Sequence, residues 1–531
     1  MPLAAALSGR LDVHGAVAVE LSGRNRLLPR RFDDEVLARD LGGVVAWAAP
    51  RVRRAAPAAQ EDVVLARKGW RGLRPLSVLS LTDRIAYRAL VGLLAESLPD
   101  EVRSREANAG FRAAPLEVEG ARYVLQTDVA SFFQYVDHEV LGDELLAQSG
   151  EEPAVEALLT LLGGVAGRRI GIPQISTASD VLGDVYVDPV RRALVRSGLS
   201  VFRYADDFRV ACPSLGAALG ALEACDDAVR ALGLTLNERK TLTFSRHSYE
   251  RSLNAFRRRE AELFEGDGDA DGGDLSALDS PYGDDVVAGG VDIDAALGLA
   301  GGDLAPLDDD DALAQEAPSE DEDDRRVIRA AARALDLWVE EDEGHDAQST
   351  QDAAITQSLL SRALPLLGRA GDPGPLGYVG AVLTHEPALT PQVAEYLVLL
   401  AASDAASARS VRDALDDVVE RDVISPWQGM WLAHAAGALP RRRGARWPGR
   451  HVDWLEGCVR DGSPALAATA GMALGRRRHG DPAALARALD RVGPAWRPLL
   501  FLGLALRDQE RASASADGAL DRILLASARP T

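Results

Sequence analysis

Two short acidic strings hold the residues with which this chain could do chemistry. Thr127-Asp128-Val129-Ala130-Ser131-Phe132-Phe133 follows an apolar run, and Phe202-Arg203-Tyr204-Ala205-Asp206-Asp207-Phe208 lies between two others. Carboxylates are hard oxygen ligands suited to Mg²⁺, which is commonly held by one or two of them plus the phosphates of a substrate. Phosphoryl transfer to a 3′ hydroxyl uses two such cations about 3.5–4 Å apart, one activating the nucleophile and one neutralising the leaving pyrophosphate. Asp128, Asp206 and Asp207 are the right residue types for that task. Taken alone, an Asp-Asp pair in a turn is more often ordinary hairpin chemistry.

The elements that must position these carboxylates are legible as hydrophobic patterns. Arg122 to Thr127 predicts a short buried strand ending at Asp128, and Val201 to Tyr204 with Phe208 to Cys212 predicts a hairpin turning through Ala205 to Asp207. Arg84 to Leu98 has helical spacing, and Glu223 to Leu232 reads as a helix closed by Gly233. Strands and helices in this mixed order indicate an α+β domain over residues 1–262.

Charge divides the rest of the chain. The net charge is −22, but 21 of the 81 acidic residues fall between Glu265 and Asp324, where there is no Lys or Arg, so the remainder is near neutral and can carry a basic groove. That stretch is rich in Asp and Gly and too poor in apolar surface to offset its chain entropy, which predicts an acidic flexible linker or insertion at 263–324. From 325 to 531 nearly every segment reads as helix, broken at Gly371 to Gly374, Pro387 to Thr390, Pro440 to Gly444 and Gly462 to Pro464. Helices of that length and spacing are compatible with a HEAT-like repeat, though no clean repeated signature occurs. Cys212, Cys225 and Cys458 are too few and scattered for a disulfide framework or a zinc site. No apolar run is long enough for a membrane span and the first residues do not form a signal peptide, so the expectation is a cytoplasmic protein without a membrane partner. Only two of the 59 basic residues are lysines, Lys68 and Lys240.

Five ordered strings together resemble the reverse transcriptase family over roughly residues 60 to 246. Tyr204-Ala205-Asp206-Asp207 is similar to that family's catalytic box, and Asp128 stands where its first catalytic Asp does. Gly171-Ile172-Pro173-Gln174, with Ser179 beyond it, resembles the segment leading into the palm helix. Leu232-Gly233-Leu234-Thr235-Leu236-Asn237-Glu238-Arg239-Lys240-Thr241 resembles the later palm motif. Lys68-Gly69-Trp70-Arg71-Gly72-Leu73-Arg74-Pro75 followed by Asp83-Arg84 resembles the fingers. The resemblance implies a palm-and-fingers polymerase with catalytic Asp128, Asp206 and Asp207, and metal ligands Asp128, Val129, Asp206 and Asp207. It also implies Mg²⁺ (or Mn²⁺) as cofactor and a nucleotide site formed by Lys68, Arg74, Phe133, Gln174 and Lys240. Phe133, five residues after Asp128, takes the place of the steric gate that crowds a ribose 2′ hydroxyl; a core aromatic is the other reading. Asp137 and His138 are expected to start a helix rather than to act in catalysis.

Ile175 departs from the pattern, since many relatives carry Gly after Pro-Gln and with it more backbone freedom. No typical thumb, maturase segment, nuclease or integrase motif is evident. A polymerase joined to a large helical domain resembles the bacterial antiphage and abortive-infection reverse transcriptases. Implied partners are deoxynucleoside triphosphates, an RNA or DNA template or product, and a phage or host protein bound through the helical domain. If synthesis is protein-primed, Tyr378 and Tyr396 are the tyrosines of that domain. The alternatives are a non-catalytic nucleic-acid-binding scaffold that keeps the fold, and an intron- or retron-type enzyme.

Overall fold

The computed structural model describes residues 5–23, 25–68, 72–99, 102, 108–264, 322–343, 350–420, 424–440 and 449–528. The expected acidic linker lies outside these residues except at its ends, where 263 and 264 close the helix Ala255–Phe264 and 322–324 open another. The described chain divides into two compact units. One contains Met1–Leu21, Leu41–Val63 and Leu76–Ala255, and the other Ser22–Asp40, Val64–Pro75 and Phe256–Thr531.

Strands β1 (Asp62–Arg67) and β2 (Leu73–Val78) form a two-stranded sheet, with the Lys68 amide donating to the Gly72 carbonyl at its closed end. The first unit is built on a four-stranded antiparallel sheet, in the order β4-β5-β3-β6, of β3 (Tyr123–Asp128), β4 (Ser200–Tyr204), β5 (Asp207–Cys212) and β6 (Leu242–Ser245). Its helices include α1 (Leu81–Ala95), α2 (His138–Ser149), α3 (Thr177–Arg196) and α4 (Leu215–Arg230). Val124, Leu125, Phe208 and Val210 make the centre of the sheet almost wholly buried. Val124 and Leu125 are adjacent and so point to opposite sides, which means that both faces of the sheet are covered there. The register of β3 on β5 sets Asp128 opposite Asp207.

The helices start where capping predicts. Ser80 accepts from the Asp83 amide at α1, Asp137 from the Glu139 and Val140 amides at α2, and Ser176 from the Ala178 amide at α3. Asp83 is itself buried, accepting from the Ser80 hydroxyl at 2.6 Å and the Ala59 amide at 3.1 Å, and burial holds its carboxyl above the usual range. A hydrogen bond of 2.8 Å between the buried Tyr87 and Ser179 hydroxyls ties α1 to α3.

In the second unit α5 (Glu322–Glu343), α6 (Thr350–Arg369), α7 (Thr390–Ser403), α8 (Pro426–Ala438), α9 (Pro464–Arg476) and α10 (Arg497–Arg507) pack in a successive series. Alpha7 is buried on nearly all sides, so even Tyr396 is enclosed, its hydroxyl donating to the Asp372 carbonyl at 2.9 Å. Tyr378, by contrast, is exposed. Gly368 allows close approach of α6 to α7, since a Cβ there would lie 3.0 Å from the Tyr396 carbonyl.

The strap Ser22–Asp40, from far earlier in the sequence, completes this helical unit. Its short helix Phe32–Ala38 packs on α10 and on the helix Ala519–Ser527. Phe32 stacks on His434 and lies under the Arg476 guanidinium, which is 4.2 Å from its ring centroid. Arg31 covers Trp496 and donates to the Ala495 carbonyl at 2.9 Å, while Trp427 donates to the Leu27 carbonyl at 2.6 Å. Leu28, Phe32, Val36 and Leu37 are all buried. Each such side chain is worth about 1.5–3 kcal/mol of apolar burial, so the strap is integral to the unit's core. A 322–528 fragment should therefore melt well below the same fragment supplied with a Ser22–Asp40 peptide. Scanning fluorimetry with and without the peptide measures this, and equal melting curves would show the strap to be dispensable.

Candidate active site

The two acidic strings meet at the ends of β3 and β5. Between β4 and β5 the chain turns in two residues, Ala205 and Asp206, with Ala205 at φ 50°. A positive φ at the first central residue of a two-residue hairpin ordinarily falls to Gly, and an L-residue there costs about 1–2 kcal/mol. Beside the turn, the Val129 amide donates to the Asp206 carbonyl at 3.1 Å, tying the residue after Asp128 to the turn.

A third segment closes the site. The Ala130 amide donates to the Thr235 carbonyl and the Asn237 amide to the Asp128 carbonyl, with Val129 and Leu236 as bridge partners. That pairing carries two polar side chains to one carboxylate. Asn237 Nδ2 lies 3.2 Å and Lys240 Nζ 3.3 Å from Asp128 Oδ2. Lys240 thus sits at the acidic site itself, a placement consistent with its motif.

Asp206 is partly exposed as a residue, yet its carboxyl is pushed up to about 7, first by burial and then by the charge of Asp128, with Lys240 offsetting part of the effect. Two carboxylates brought together in this way disfavour full ionisation unless a cation joins them. Their hard oxygens fit a divalent ion such as Mg²⁺. Among the described residues no group of three or more His, Cys, Asp or Glu side chains converges as a metal centre. Asp207 instead pairs with Arg209 two residues along the same strand. The Arg209 guanidinium is almost fully buried, lies 5.2 Å from the Phe111 ring centroid and donates to the Tyr249 hydroxyl at 3.3 Å.

Phe133 is half-buried, edge-on to Phe132 with ring centroids 5.3 Å apart, and its carbonyl accepts from the Ile172 amide at 2.8 Å. Gly171, at φ 90°, makes room for that contact, since a Cβ there would lie 3.2 Å from the Gln134 carbonyl. His138 Nε2 bonds the Gly171 carbonyl at 2.7 Å, and burial lowers the imidazole pKa, so a neutral ring donating through Nε2 anchors the Gly-Ile-Pro-Gln segment. Gln174 is half-buried, with a side-chain oxygen that is enclosed and has no hydrogen-bond partner.

Lys68 is exposed at the end of the β1–β2 hairpin and Arg74 is half-buried in β2. Gly69, Trp70 and Arg71, the middle of the fingers motif, lie outside the described residues. The remaining predicted site residues all belong to the first unit, whereas Lys68 and Arg74 cluster with the second. Sequence reasoning missed Asn237 as a partner of Asp128, although it lies inside the palm motif. It also missed Arg209 and Arg203, which as lone arginines in strands gave no signal.

Residues 66–261 match the family described as reverse transcriptase (RNA-dependent DNA polymerase), a span that includes every site residue from Lys68 to Lys240. The chain therefore carries a reverse transcriptase domain, followed by a helical region. No curated protein matches the chain.

The raised pKa of Asp206 carries a sign. A carboxyl whose folded pKa exceeds its unfolded one contributes stability that is complete below about pH 4 and lost as pH rises through about 7. Without divalent ions, Asp206→Asn should then be more stable than wild type at pH 8, by about 1–4 kcal/mol, and the difference should shrink toward pH 5. Denaturant melts at the two pH values test this, and a variant less stable than wild type at pH 8 would contradict it.

Proposed function

We propose that this chain is a reverse transcriptase-type DNA polymerase that adds deoxynucleotides to a 3′ hydroxyl by two-metal phosphoryl transfer, in bacterial antiphage defence. The observation that carries the reading is the register that sets Asp128 opposite Asp207, with the Val129 amide tied to the Asp206 carbonyl, within the matched reverse transcriptase span. Divalent cations bound there would activate the attacking hydroxyl and neutralise the leaving pyrophosphate. Asp128 and Asp206 would hold them with the Val129 backbone, and Asp207, on its Arg209 partner, would complete the acidic edge. Lys240 would supply positive charge beside the same phosphates. Lys68 and Arg74, by their residue types a point charge and a planar fork, are suited to triphosphate oxygens. Gln174 would line the nucleotide pocket, and Phe133, fixed by Phe132 and Ile172, would exclude a ribose 2′ hydroxyl.

The defence role rests on the pairing of a polymerase domain with a large helical unit, which would bind a phage or host protein. Among the described residues no helix is long and apolar enough to cross a membrane, in keeping with a proposed cytoplasmic site of action. If synthesis is primed on the protein, the exposed Tyr378 is the better acceptor, because Tyr396 is enclosed and its hydroxyl engaged.

Asp206→Ala combined with Asp207→Ala should reduce deoxynucleotide incorporation in Mg²⁺ or Mn²⁺ to background, and should abolish protection of a host against phage. Incorporation equal to wild type by the double variant would remove the assignment, and protection without incorporation would favour a scaffold. Separately, Phe133→Val should raise ribonucleotide use relative to deoxynucleotide use by roughly tenfold or more, measured as the ratio of kcat/KM values. An unchanged ratio in a folded variant would make Phe133 a core residue only.

A further inference from the structure

Beneath the acidic turn lies an ion pair that no catalytic motif accounts for. Arg203, on β4, and Asp184, on α3, are both buried, with side chains 8% and 5% exposed, and Arg203 Nη1 reaches Asp184 Oδ1 at 2.6 Å. The same nitrogen lies 3.1 Å from the carbonyl of Ala205. Ala205 is the residue held at positive φ immediately before Asp206. One guanidinium thus joins helix α3 to the strained residue of the turn. The neighbouring Gly183 touches the other half of the site, since a Cβ there would lie 3.0 Å from the Phe132 ring and 3.8 Å from that of Phe133.

The geometry points to Arg203 and Asp184 as a positioning pair for the acidic turn: through them α3 sets where Asp206 lies against Asp128, and so how tightly the two carboxylates hold a divalent cation. This rests on the reading that Asp128 and Asp206 bind such a cation. The physical argument is that a positive-φ alanine relaxes unless its carbonyl is held, and the two N–H groups of one planar guanidinium nitrogen, Arg203 Nη1, hold a carboxylate and that carbonyl together. A lysine in its place keeps the charge facing Asp184, but its freely rotating ammonium does not fix the two donor directions as the planar guanidinium does. Gly183 and Asp184, adjacent on one helix, also give the Phe133 loop and the Asp206 turn a common reference.

The test is Mn²⁺ binding to the full-length protein, followed by electron paramagnetic resonance, for wild type, Asp206→Asn, Arg203→Lys and the double variant Arg203→Gln with Asp184→Asn. Asp206→Asn reports on the underlying reading alone. Unchanged Mn²⁺ affinity in that variant would overturn the metal assignment, and the positioning role with it. With that control showing loss, Arg203→Lys should bind Mn²⁺ at least tenfold more weakly, and incorporation should show a lower kcat with little change in the deoxynucleotide KM. The double variant removes both buried charges together, so it avoids an uncompensated ion in the core. It too should bind Mn²⁺ at least tenfold more weakly while melting close to wild type. Folded Arg203→Lys, or a folded double variant, with wild-type Mn²⁺ affinity would show the pair to be structural only and would overturn the proposal.

Discussion

Backbone pairing gathers three acidic residues, Asp128, Asp206 and Asp207, at one end of the sheet, and much of the first unit can be understood as the support for that crowding. The register of β3 on β5 brings Asp128 to the turn, and the amide of Val129 clamps the Asp206 carbonyl so that the turn cannot swing away. Cations are distributed around the site. Lys240 meets Asp128, Arg209 meets Asp207, and Arg203 meets Asp184 on the helix below. Asp206 is the member whose ionisation is most strongly opposed, by burial and by Asp128. A site of this kind sacrifices stability to keep a charge pattern that a cationic ligand would satisfy, a common trade between activity and stability.

The support is layered. Segment 234–240 runs beside the residues following Asp128 and contributes Asn237 and Lys240 to that carboxylate. His138, neutral and enclosed, holds the Gly171 carbonyl, and Gly171 in turn leaves space for the backbone of Phe133 and Gln134. Alpha3 touches the Phe132–Phe133 pair through Gly183 and the acidic turn through Asp184. The same helix meets α1 through the Tyr87–Ser179 bond.

What the sequence revealed of this arrangement was what short-range pattern can encode. The strand before Asp128, the hairpin through Asp206 and the helix ending near Gly233 were legible because alternation, turn residues and caps are local signals. Asp128, Asp206 and Lys240 were legible as candidates because their strings recur in a fixed order. Arg203 and Arg209 were not, since a single arginine in a strand looks like a solvated residue until its burial is known. Asp184 was hidden for the same reason in a helix that also contains Asp180 and Asp188. The strap Ser22–Asp40 was least visible of all, for its partners lie some 400 residues away and no local periodicity points to them.

That separation has a consequence for synthesis. The strap leaves the ribosome well before Trp427, a strongly engaged partner that follows about 390 residues later. At roughly 5–20 residues per second the strap waits about 20–80 s before its companions exist. The four-stranded sheet and its helices can be completed in that interval while Phe32, Val36 and Leu37 remain without their final cover. Newly made chains thus pass through a stage at which the first unit's residues have all been made and an apolar thread is still open, a natural binding point for a holdase. Any ribosome that stops before the helical region would release a protein that bears the first unit and an unburied sticky segment, and quality control could tell it from the finished molecule by that segment alone.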